Sequence, residues 1–348
     1  MIWPELDDPA VWVRHIVLTA TRGATTETLV VIDGTLTQDS RTPLRWSAEL
    51  IVAAPSPIFP ADLLTPYGTD VAVEVGIIHP ITGALAQVAQ WGRYFIDRTN
   101  AASVPGYAAV NLHLTDIAQR VAAYRFETPL LCPAGADLAT IADQVFLSRL
   151  GVVSGLAPTG ILLPRDLPMG VTTTTDPWRE LVDLFSANGL QLFHDGAGVL
   201  QAQPPPVATA GTVIGGFDFE VAFEKRPANV IVARGEQDTG VPVQAVVMDV
   251  DPSSPTYAGP GPGTSPYGRV TDYVDSPMII DATLATQAAT ARLAEKSGAQ
   301  VTITRPFDPG ISPGDTVVLA TSSAPLLVLV DSISLSVTGD TVIAGRAQ

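Results

Sequence analysis

The segment "LTPYGTDVAVEV", residues 64–75, is echoed far along the chain by "ISPGDTVVLA", residues 311–320. Both segments place Pro, Gly and Asp just before an alternating, Val-rich run. Turns of this composition precede strands in many proteins, so the echo by itself is weak evidence. Because it occurs in two blocks that both have the pattern of a small barrel, it predicts a duplicated β module.

The first of these blocks, residues 1–125, has the pattern of an N-terminal β-barrel. It contains six or seven short runs rich in Val, Ile, Trp and Tyr, separated by Gly, Pro, Asn and Asp. So many short strands in so short a span are typical of a small closed barrel or sandwich.

Residues 126–210 have a different period, which predicts an inserted α+β domain with two helices and a hairpin. The first helix is predicted to begin after Asp137 and to end at Gly151. Its apolar stripe consists of Leu138, Ile141, Val145 and Phe146.

The second helix of this insert has Asp176 as its cap and Pro177 at its first position, and it ends at Asn188 and Gly189. Its apolar face consists of Trp178, Leu181, Val182 and Phe185. The following stretch, "LQLFHDGAGVLQAQPPP", has a Gly-rich turn between two short runs and ends in three prolines, which predicts a hairpin.

Residues 211–348 are predicted to form a second β-barrel region. It contains a long Pro- and Gly-rich loop at 252–268 and an inserted Ala-rich helix at 281–298. The closing strands are "AQVTITRP", "DTVVLA", "PLLVLVDSISLSV" and "DTVIAGRA". The predicted fold class is therefore mainly β with an α+β insert, in which two similar small β-barrels flank a helix-containing middle domain.

The composition excludes some classes of function. A net charge of −16 opposes binding to nucleic-acid phosphates, because that affinity comes from clustered Lys and Arg. The single cysteine, Cys132, rules out an intrachain disulfide and a zinc site built on cysteines. No signal segment opens the chain and the run "APLLVLV" is too short to span a bilayer, so we expect synthesis in the cytoplasm and no stable membrane insertion.

The histidines and carboxylates give no pattern of a catalytic site. His194 and Asp195 are adjacent on an extended segment, so their side chains should point to opposite faces, and we expect His194 to be a surface residue at the hairpin tip. His15, His79 and His113 lack the spacing of a metal site. Asp249 and Asp251 lack the further oxygen ligands and the glycine of a calcium loop, which favours a role in the loop entry.

Other signatures of catalysis are also missing. Cys132 has no basic neighbour or helix start to activate it, and the long loop lacks the Gly-Lys-Ser/Thr ending of a phosphate-binding loop. We therefore predict no enzyme, no catalytic residue, no cofactor-binding residue, no metal-binding residue and no cofactor.

The order of elements, however, resembles the tail-hub family of tailed bacteriophages, which includes baseplate hubs of contractile phages and the trunk of type VI secretion spikes. The resemblance rests on "WGRYFIDRTN", "LVDLFSANGLQLFHDGAGVLQAQP", "RPANVIVARG" and "ISPGDTVVLA". The N-terminal "GTLTQDSRTPLRWSAELIV" looks like minor tail proteins of long-tailed, non-contractile actinobacteriophages. The pattern covers nearly the whole chain, but it lacks an attached lysozyme or needle.

This resemblance implies a structural virion protein, a homotrimeric tail-tip hub whose paired barrels form a ring of near six-fold symmetry. Its implied partners are the distal tail or tail tube ring, the tape-measure protein and other tail-tip or receptor-binding proteins. DNA would pass through the lumen without specific binding during genome ejection, and an acidic lining would repel it.

Two alternatives remain open. A β-rich receptor- or carbohydrate-binding tail module is suggested by the exposed-looking Tyr257 and Tyr267 in the long loop. A cell-wall hydrolase is suggested only by the abundance of carboxylates, since two carboxylates can share acid and base duties.

Overall fold

A computed structural model defines the fold. The described residues are 13–54, 63–66, 68–78, 85–104, 107–171, 176–208, 211–214, 218–222, 227–237, 239–254, 256–276, 278–296, 298–306, 308, 310–320 and 325–347. His79 lies outside them. Within this part of the chain no helix is long and apolar enough to cross a membrane. The predicted mainly β fold with a helical insert is confirmed.

The first barrel is a closed cylinder of six antiparallel strands. They are β1 (Val13–Arg22), β2 (Thr25–Asp39), β3 (Trp46–Ala54), β4 (Asp70–Ile78), β5 (Leu85–Val104) and β6 (Tyr107–Asp116). The order around the cylinder is β1-β4-β5-β6-β3-β2, and pairing of β1 with β2 closes it. Alternate side chains point inward, as Val71, Val73 and Val75 of β4 show, because successive residues of a strand face opposite sides.

The insert follows the first barrel and packs two helices on short strand pairs. Its elements are α1 (Gln119–Ala123), β7 (Leu130–Cys132), α2 (Leu138–Leu150), β8 (Leu167–Met169), α3 (Pro177–Ala187), β9 (Gln191–His194) and β10 (Leu200–Gln203). Both predicted helices and the hairpin are confirmed. Asp137 caps α2 and Asp176 caps α3 through side-chain bonds to backbone amides. The insert has its own hydrophobic cluster, which includes Phe185.

The remaining elements complete the chain. They are β11 (Thr212–Ile214), β12 (Asp218–Ala222), β13 (Val230–Glu236), β14 (Pro242–Met248), β15 (Thr271–Asp275), α4 (Ala282–Lys296), β16 (Ala299–Arg305), β17 (Thr316–Leu319), β18 (Leu326–Ser336) and β19 (Thr341–Ala347). Strands β13 to β15 form a separate three-stranded sheet covered by α4, with a hydrophobic cluster of its own. Small Ala side chains on α4, such as Ala285 and Ala289, let the helix approach this sheet closely.

The second barrel is built from β11, β12 and β16 to β19. Its antiparallel pairings, β12–β16–β19–β18–β17, repeat the pairings β2–β3–β6–β5–β4 of the first barrel in the same chain order. No counterpart of β1 occurs among its described strands. Instead β11, which runs in the same direction as β12, pairs directly with β17. The pairing of β11 with β17 is parallel because β12 corresponds to β2 and β17 corresponds to β4. Strands β2 and β4 both pair antiparallel with β1, so they run in the same direction as each other.

The two barrels agree in register as well as in topology. Strand β5 has a bulge between Ile96 and Arg98 in its pairing with β6, and β18 has one between Val330 and Ser332 in its pairing with β19. Asp97 and Asp331 therefore occupy the same extra position. Counting outward from the bulges, Val71 of β4 corresponds to Val317 of β17.

The sequence echo between residues 64–75 and 311–320 lies at these corresponding strands. Gly68 and Gly314 each stand three residues before the matched valines, and both adopt positive φ, 89° and 97°. Such a φ favours glycine, because it has no Cβ. The duplicated β module predicted from the echo is thus present as two barrels with matching strands.

A strand pairing joins the barrels into one sheet. The second half of β2, Thr35–Asp39, leaves β1 and pairs with Ser332–Ser336 of β18. We call this pairing the inter-barrel junction. Gly34 lies at the bend, where its φ of 134° and the nearby backbone of Glu49 leave no room for a side chain. The interiors of both barrels form one connected hydrophobic cluster.

Candidate functional site

His194 and Asp195 lie on opposite faces of the hairpin, as predicted. Asp195 faces the turn, where its Oδ1 accepts hydrogen bonds from the amides of Ala197 (3.0 Å) and Val199 (2.9 Å). The expectation that His194 is a surface residue is wrong, because only 5% of it is exposed. The hairpin packs between the first barrel and the insert helices, which a strand pattern alone does not reveal.

The ring of His194 is enclosed by aromatic side chains. It stacks on Trp178 of α3, with ring centroids 5.4 Å apart and an angle of 18° between the planes. Its centroid lies 6.1 Å from that of the Phe146 ring of α2. Its Nδ1 lies 3.3 Å from Oδ1 of Asp116, although this contact lacks hydrogen-bond geometry. The histidine therefore serves as a packing element between the insert and the end of β6.

Asp116 lies where the insert contacts the first barrel, and only 1% of it is exposed. Its Oδ2 accepts a hydrogen bond from the backbone amide of Arg45 (3.1 Å), and its Oδ1 accepts one from Ala118 (2.9 Å). These bonds tie the end of β6 to the start of β3 and to the turn before α1. A buried carboxylate persists because its lone pairs are satisfied in this way.

Two tryptophans add directional bonds between the insert and the first barrel. Nε1 of Trp46 donates to the carbonyl of His194, and Nε1 of Trp178 donates to the carbonyl of Pro43, each at 2.8 Å. At the hairpin tip, a Cβ on Gly196 would lie only 2.9 Å from the carbonyl oxygen of Trp91. The absence of that Cβ lets the hairpin lie directly on β5.

Arg45, which directly precedes β3, also contacts the hairpin of the insert. Its guanidinium lies 3.6 Å from the ring centroid of Phe193 and donates to Oε1 of Gln191 at 2.8 Å. Burial lowers the pKa of Arg45 to about 10, so the side chain remains charged at neutral pH. We name the set Arg45, Trp46, Asp116, Trp178 and His194 the barrel–insert joint.

The inter-barrel junction also carries a buried ion pair. Nε of Arg346 donates to Oδ1 and Oδ2 of Asp331 at 3.0 and 2.9 Å. Burial raises the pKa of Asp331, and the Arg346 guanidinium opposes that shift. The backbone amide and hydroxyl of Ser40 both donate to the carbonyl of Asp331 at 2.9 Å, which fixes the end of β2 on the bulge of β18.

A cleft of about 1220 Å³ separates α3 from α4 and β15. Its charged side chains pair with one another, as in the contacts Arg179–Asp183 and Arg292–Glu295, each at 3.2 Å. Glu180 accepts a hydrogen bond from the amide of Gly170 at 2.8 Å. These charged side chains of the cleft therefore form ion pairs and hydrogen bonds within the chain.

The other described histidines, His15 and His113, lie on different strands of the first barrel. His113 contacts Glu49 at 3.1 Å and Arg98 at 3.0 Å on the outer face of adjacent strands, while His15 lies half-buried on β1. Among the described residues, no three His, Cys, Asp or Glu side chains are grouped as a metal site would require. Cys132 is buried at the end of β7, and burial, followed by the charge of Glu180, raises its pKa to about 11.

Asp249 and Asp251 organise the entry to the long loop, as predicted. Oδ2 of Asp249 accepts from the hydroxyls of Ser254 (2.5 Å) and Thr256 (2.6 Å), and Oδ1 of Asp251 accepts from the Ser253 hydroxyl (2.7 Å). One oxygen of each carboxylate therefore accepts from hydroxyls of the loop itself.

The tyrosines of the long loop are less exposed than the sequence indicates. Tyr257 and Tyr267 are both half-buried, and the Tyr267 hydroxyl donates to the carbonyl of Pro227 at 2.8 Å. Asn229 holds the two ends of the loop by donating to the carbonyls of Thr256 (2.7 Å) and Gly268 (2.8 Å). The loop is folded onto the β13–β15 sheet.

Several residues of the inter-barrel junction and of the barrel–insert joint lie in no sequence pattern from which their contacts were predicted. The pairing of β2 with β18 joins positions about 300 residues apart. A local cue did exist, since "YFID" at 94–97 and "VLVD" at 328–331 both place Asp after an apolar run at the point of the bulge. The burial of Asp116 and His194 had no such cue.

No protein-family model matches the sequence, and comparison with curated proteins found no match. Solved structures with a similar fold do exist. A tail protein from Neisseria meningitidis MC58 is 13% identical, with a TM-score of 0.60 over 96% of each chain. A 43 kDa tail protein of prophage MuSo2 from Shewanella oneidensis is 13% identical, with a TM-score of 0.60 over 94% of this chain and 98% of that one.

A third structure connects the fold to secretion machinery. A type VI secretion system component from E. coli, described as structurally similar to T4 bacteriophage tail proteins gp27 and gp5, is 11% identical. Its TM-score is 0.54 over 95% of this chain and 76% of that one. At these identities the likeness establishes the fold, and it extends over nearly the whole chain. The chain has the fold of these two tail proteins and of this type VI secretion component.

Proposed function

We propose that this chain is a structural virion protein that forms the trimeric hub at the tip of a phage tail. The observation that carries the proposal is the presence of two barrels with the same strand order and the same bulge, in a fold shared with phage tail proteins. Three chains with two equivalent barrels each would make a ring of six similar units. Such a ring would match a six-fold tail tube while keeping three-fold symmetry.

In this role the chain acts by shape and requires no catalysis. Its partners would be two further copies of itself, the distal tail or tail tube ring, the tape-measure protein and other tail-tip proteins. DNA would traverse the lumen without specific binding, which the net charge of −16 favours by repelling phosphates. The barrel–insert joint would hold the insert in a fixed orientation on the ring.

The two alternative functions find less support. The receptor- or carbohydrate-binding module was suggested by exposed tyrosines, whereas Tyr257 and Tyr267 are half-buried and Tyr267 bonds to Pro227. The hydrolase was suggested by abundant carboxylates, yet the buried Asp116 and Asp331 both serve junctions between elements.

The proposal is tested by mass photometry and electron microscopy of the purified protein over a range of concentrations, with and without tail tube protein from the same phage. We expect particles of three times the chain mass, whose end-on class averages show six lobes around a channel. A chain that remains monomeric under all these conditions, including with tube protein present, would overturn the proposal.

A further inference from the structure

The inter-barrel junction has a second, unused counterpart in the same chain. At the junction, the second half of β2 pairs with the part of β18 that follows the Asp331 bulge. In the first barrel, the strand that corresponds to β18 is β5. In the second barrel, the strand that corresponds to β2 is β12. The chain therefore carries one more β18-like edge and one more β2-like edge.

Within the described residues, no second strand pairs with either of these edges. Strand β12 pairs with β16 on one side and ends the order of the large sheet on the other. Strand β5 pairs with β4 only up to Phe95, so beyond the bulge its single described strand partner is β6. An open strand edge exposes backbone donors and acceptors that another strand can satisfy.

Exposure shows the difference between the used and the unused edge. Ser332 and Ser334 of β18 are half-buried beside β2, whereas their counterparts on β5, Arg98 and Asn100, are exposed. Likewise Asp331 is 4% exposed beside Ser40, but the corresponding Asp97 is exposed. Within the described residues, Arg98 and Asn100 of β5 thus have no second strand beside them at the positions where β2 covers Ser332 and Ser334 of β18.

Resting on the proposed function, we propose that β12 of one protomer pairs antiparallel with β5 of the next and so repeats the inter-barrel junction between subunits. The matched registers fix the alignment. At the junction Ser334 lies opposite Thr37, and the corresponding residues are Asn100 and Ala222. In the same way Ala101 would lie opposite Val221, because Leu335 lies opposite Leu36.

The occupant is a second copy of this chain because the two open edges are copies of two edges that already fit each other. The contact is head-to-tail, so each protomer offers β12 on one side and β5 on the other. Contacts of this kind close into rings when the rotation between neighbours divides a full turn. With three protomers, internal and intersubunit junctions alternate around six barrels.

The test is a cysteine cross-link at the aligned positions. The double variant Asn100→Cys/Ala222→Cys is oxidised with copper phenanthroline at a concentration where mass photometry shows oligomers. On non-reducing gels we expect the monomer band to shift to two and three times the chain mass and to return on reduction. Directly opposed residues of an antiparallel pair have Cα atoms about 4.5–5.5 Å apart, which lies within reach of a disulfide.

Matched controls come from the same chain. Thr37→Cys/Ser334→Cys occupies the corresponding positions of the internal junction and should form an intrachain disulfide without any change in oligomer mass. Each single variant should leave the monomer band unchanged, since the native Cys132 is buried. Asn100→Cys/Val221→Cys is out of register by one residue, which points the two side chains to opposite faces. It should cross-link far less than the aligned pair.

The outcomes separate this inference from the proposed function. A trimer in which the internal control cross-links and the Asn100/Ala222 pair does not would overturn the strand pairing and leave the hub intact. Open-ended polymers linked by the aligned pair would support the pairing and contradict the three-fold hub. A chain that never oligomerises would overturn both.

Discussion

Asp97 and Asp331 stand at the same bulge of two corresponding strands, yet Asp331 is buried in an ion pair with Arg346 and Asp97 is exposed. The difference follows from their neighbours, because β2 and Ser40 cover the bulge of β18. Equivalent positions of a duplicated barrel thus provide natural controls for one another.

Removal of the buried carboxylate should destabilise the protein far more than removal of its exposed counterpart. We expect Asp331→Ala to lower the free energy of unfolding by about 3–5 kcal/mol, because it leaves the Arg346 guanidinium buried without its partner. Asp97→Ala should change it by no more than about 0.5 kcal/mol. Urea unfolding of both variants measures the difference. Equal losses would contradict the assignment of the two environments.

The bend of β2 should tolerate no side chain at Gly34. A Cβ there would overlap the carbonyl oxygen of Glu49, and φ is 134°. We expect Gly34→Ala to cost more than about 2 kcal/mol, because backbone strain and steric overlap each oppose it by about 1–3 kcal/mol. Gly23→Ala is the control, because Gly23 also has positive φ, 58°, but faces open space. Its loss should be about 1–2 kcal/mol. Thermal melts of both variants give the comparison, and a smaller loss at Gly34 than at Gly23 would contradict it.

Local sequence signals predicted the individual elements of this fold well. The Asp caps and Gly ends located α2 and α3, and the Val-rich runs located the strands of both barrels, because these signals act within a few residues. The separate sheet of β13 to β15 was not predicted as a unit. Its strand β15 is short and follows the long loop, so its pattern is weak. The domain boundaries after residues 125 and 210 stay predictions.

The junctions could not be predicted in the same way. Alternation along β9 places His194 and Asp195 on opposite faces, but it does not say which face meets another element. Burial of His194 depends on Trp178 and Asp116, which lie at other points of the chain. The contact between β2 and β18 likewise depends on how two finished barrels meet. Such long-range contacts leave no periodic trace in the sequence.

Asp116 should be required for stability of the barrel–insert joint. In Asp116→Ala, the buried amides of Arg45 and Ala118 lose their acceptor, at about 1–3 kcal/mol for each unsatisfied group. We expect a total loss of roughly 2–6 kcal/mol from these two amides, and a smaller loss in Asp116→Asn, which keeps one acceptor oxygen. Urea unfolding followed by tryptophan fluorescence, to which Trp46 and Trp178 contribute, measures these losses. An alanine variant as stable as the asparagine variant would refute this role.

The cap of α2 should make stability depend on pH in the acid range. Burial raises the pKa of Asp137, but hydrogen bonds from the amides of Ala139, Thr159 and Gly160 and from the Thr159 hydroxyl outweigh it and hold the pKa below its ordinary value. A carboxyl group whose folded pKa is lowered stabilises the fold above its unfolded pKa of about 3.9, and this contribution is lost as pH falls through the folded pKa.

Asp137→Asn keeps a capping oxygen but cannot ionise, which makes it the matched reference. We expect wild type to be more stable than Asp137→Asn at pH 7 and 5, with the gap shrinking between pH 4 and 3, as measured by urea midpoints at each pH. A gap that stays constant down to pH 3 would show that the charge of Asp137 contributes nothing to the cap, because protonation of the carboxylate would then leave stability unchanged.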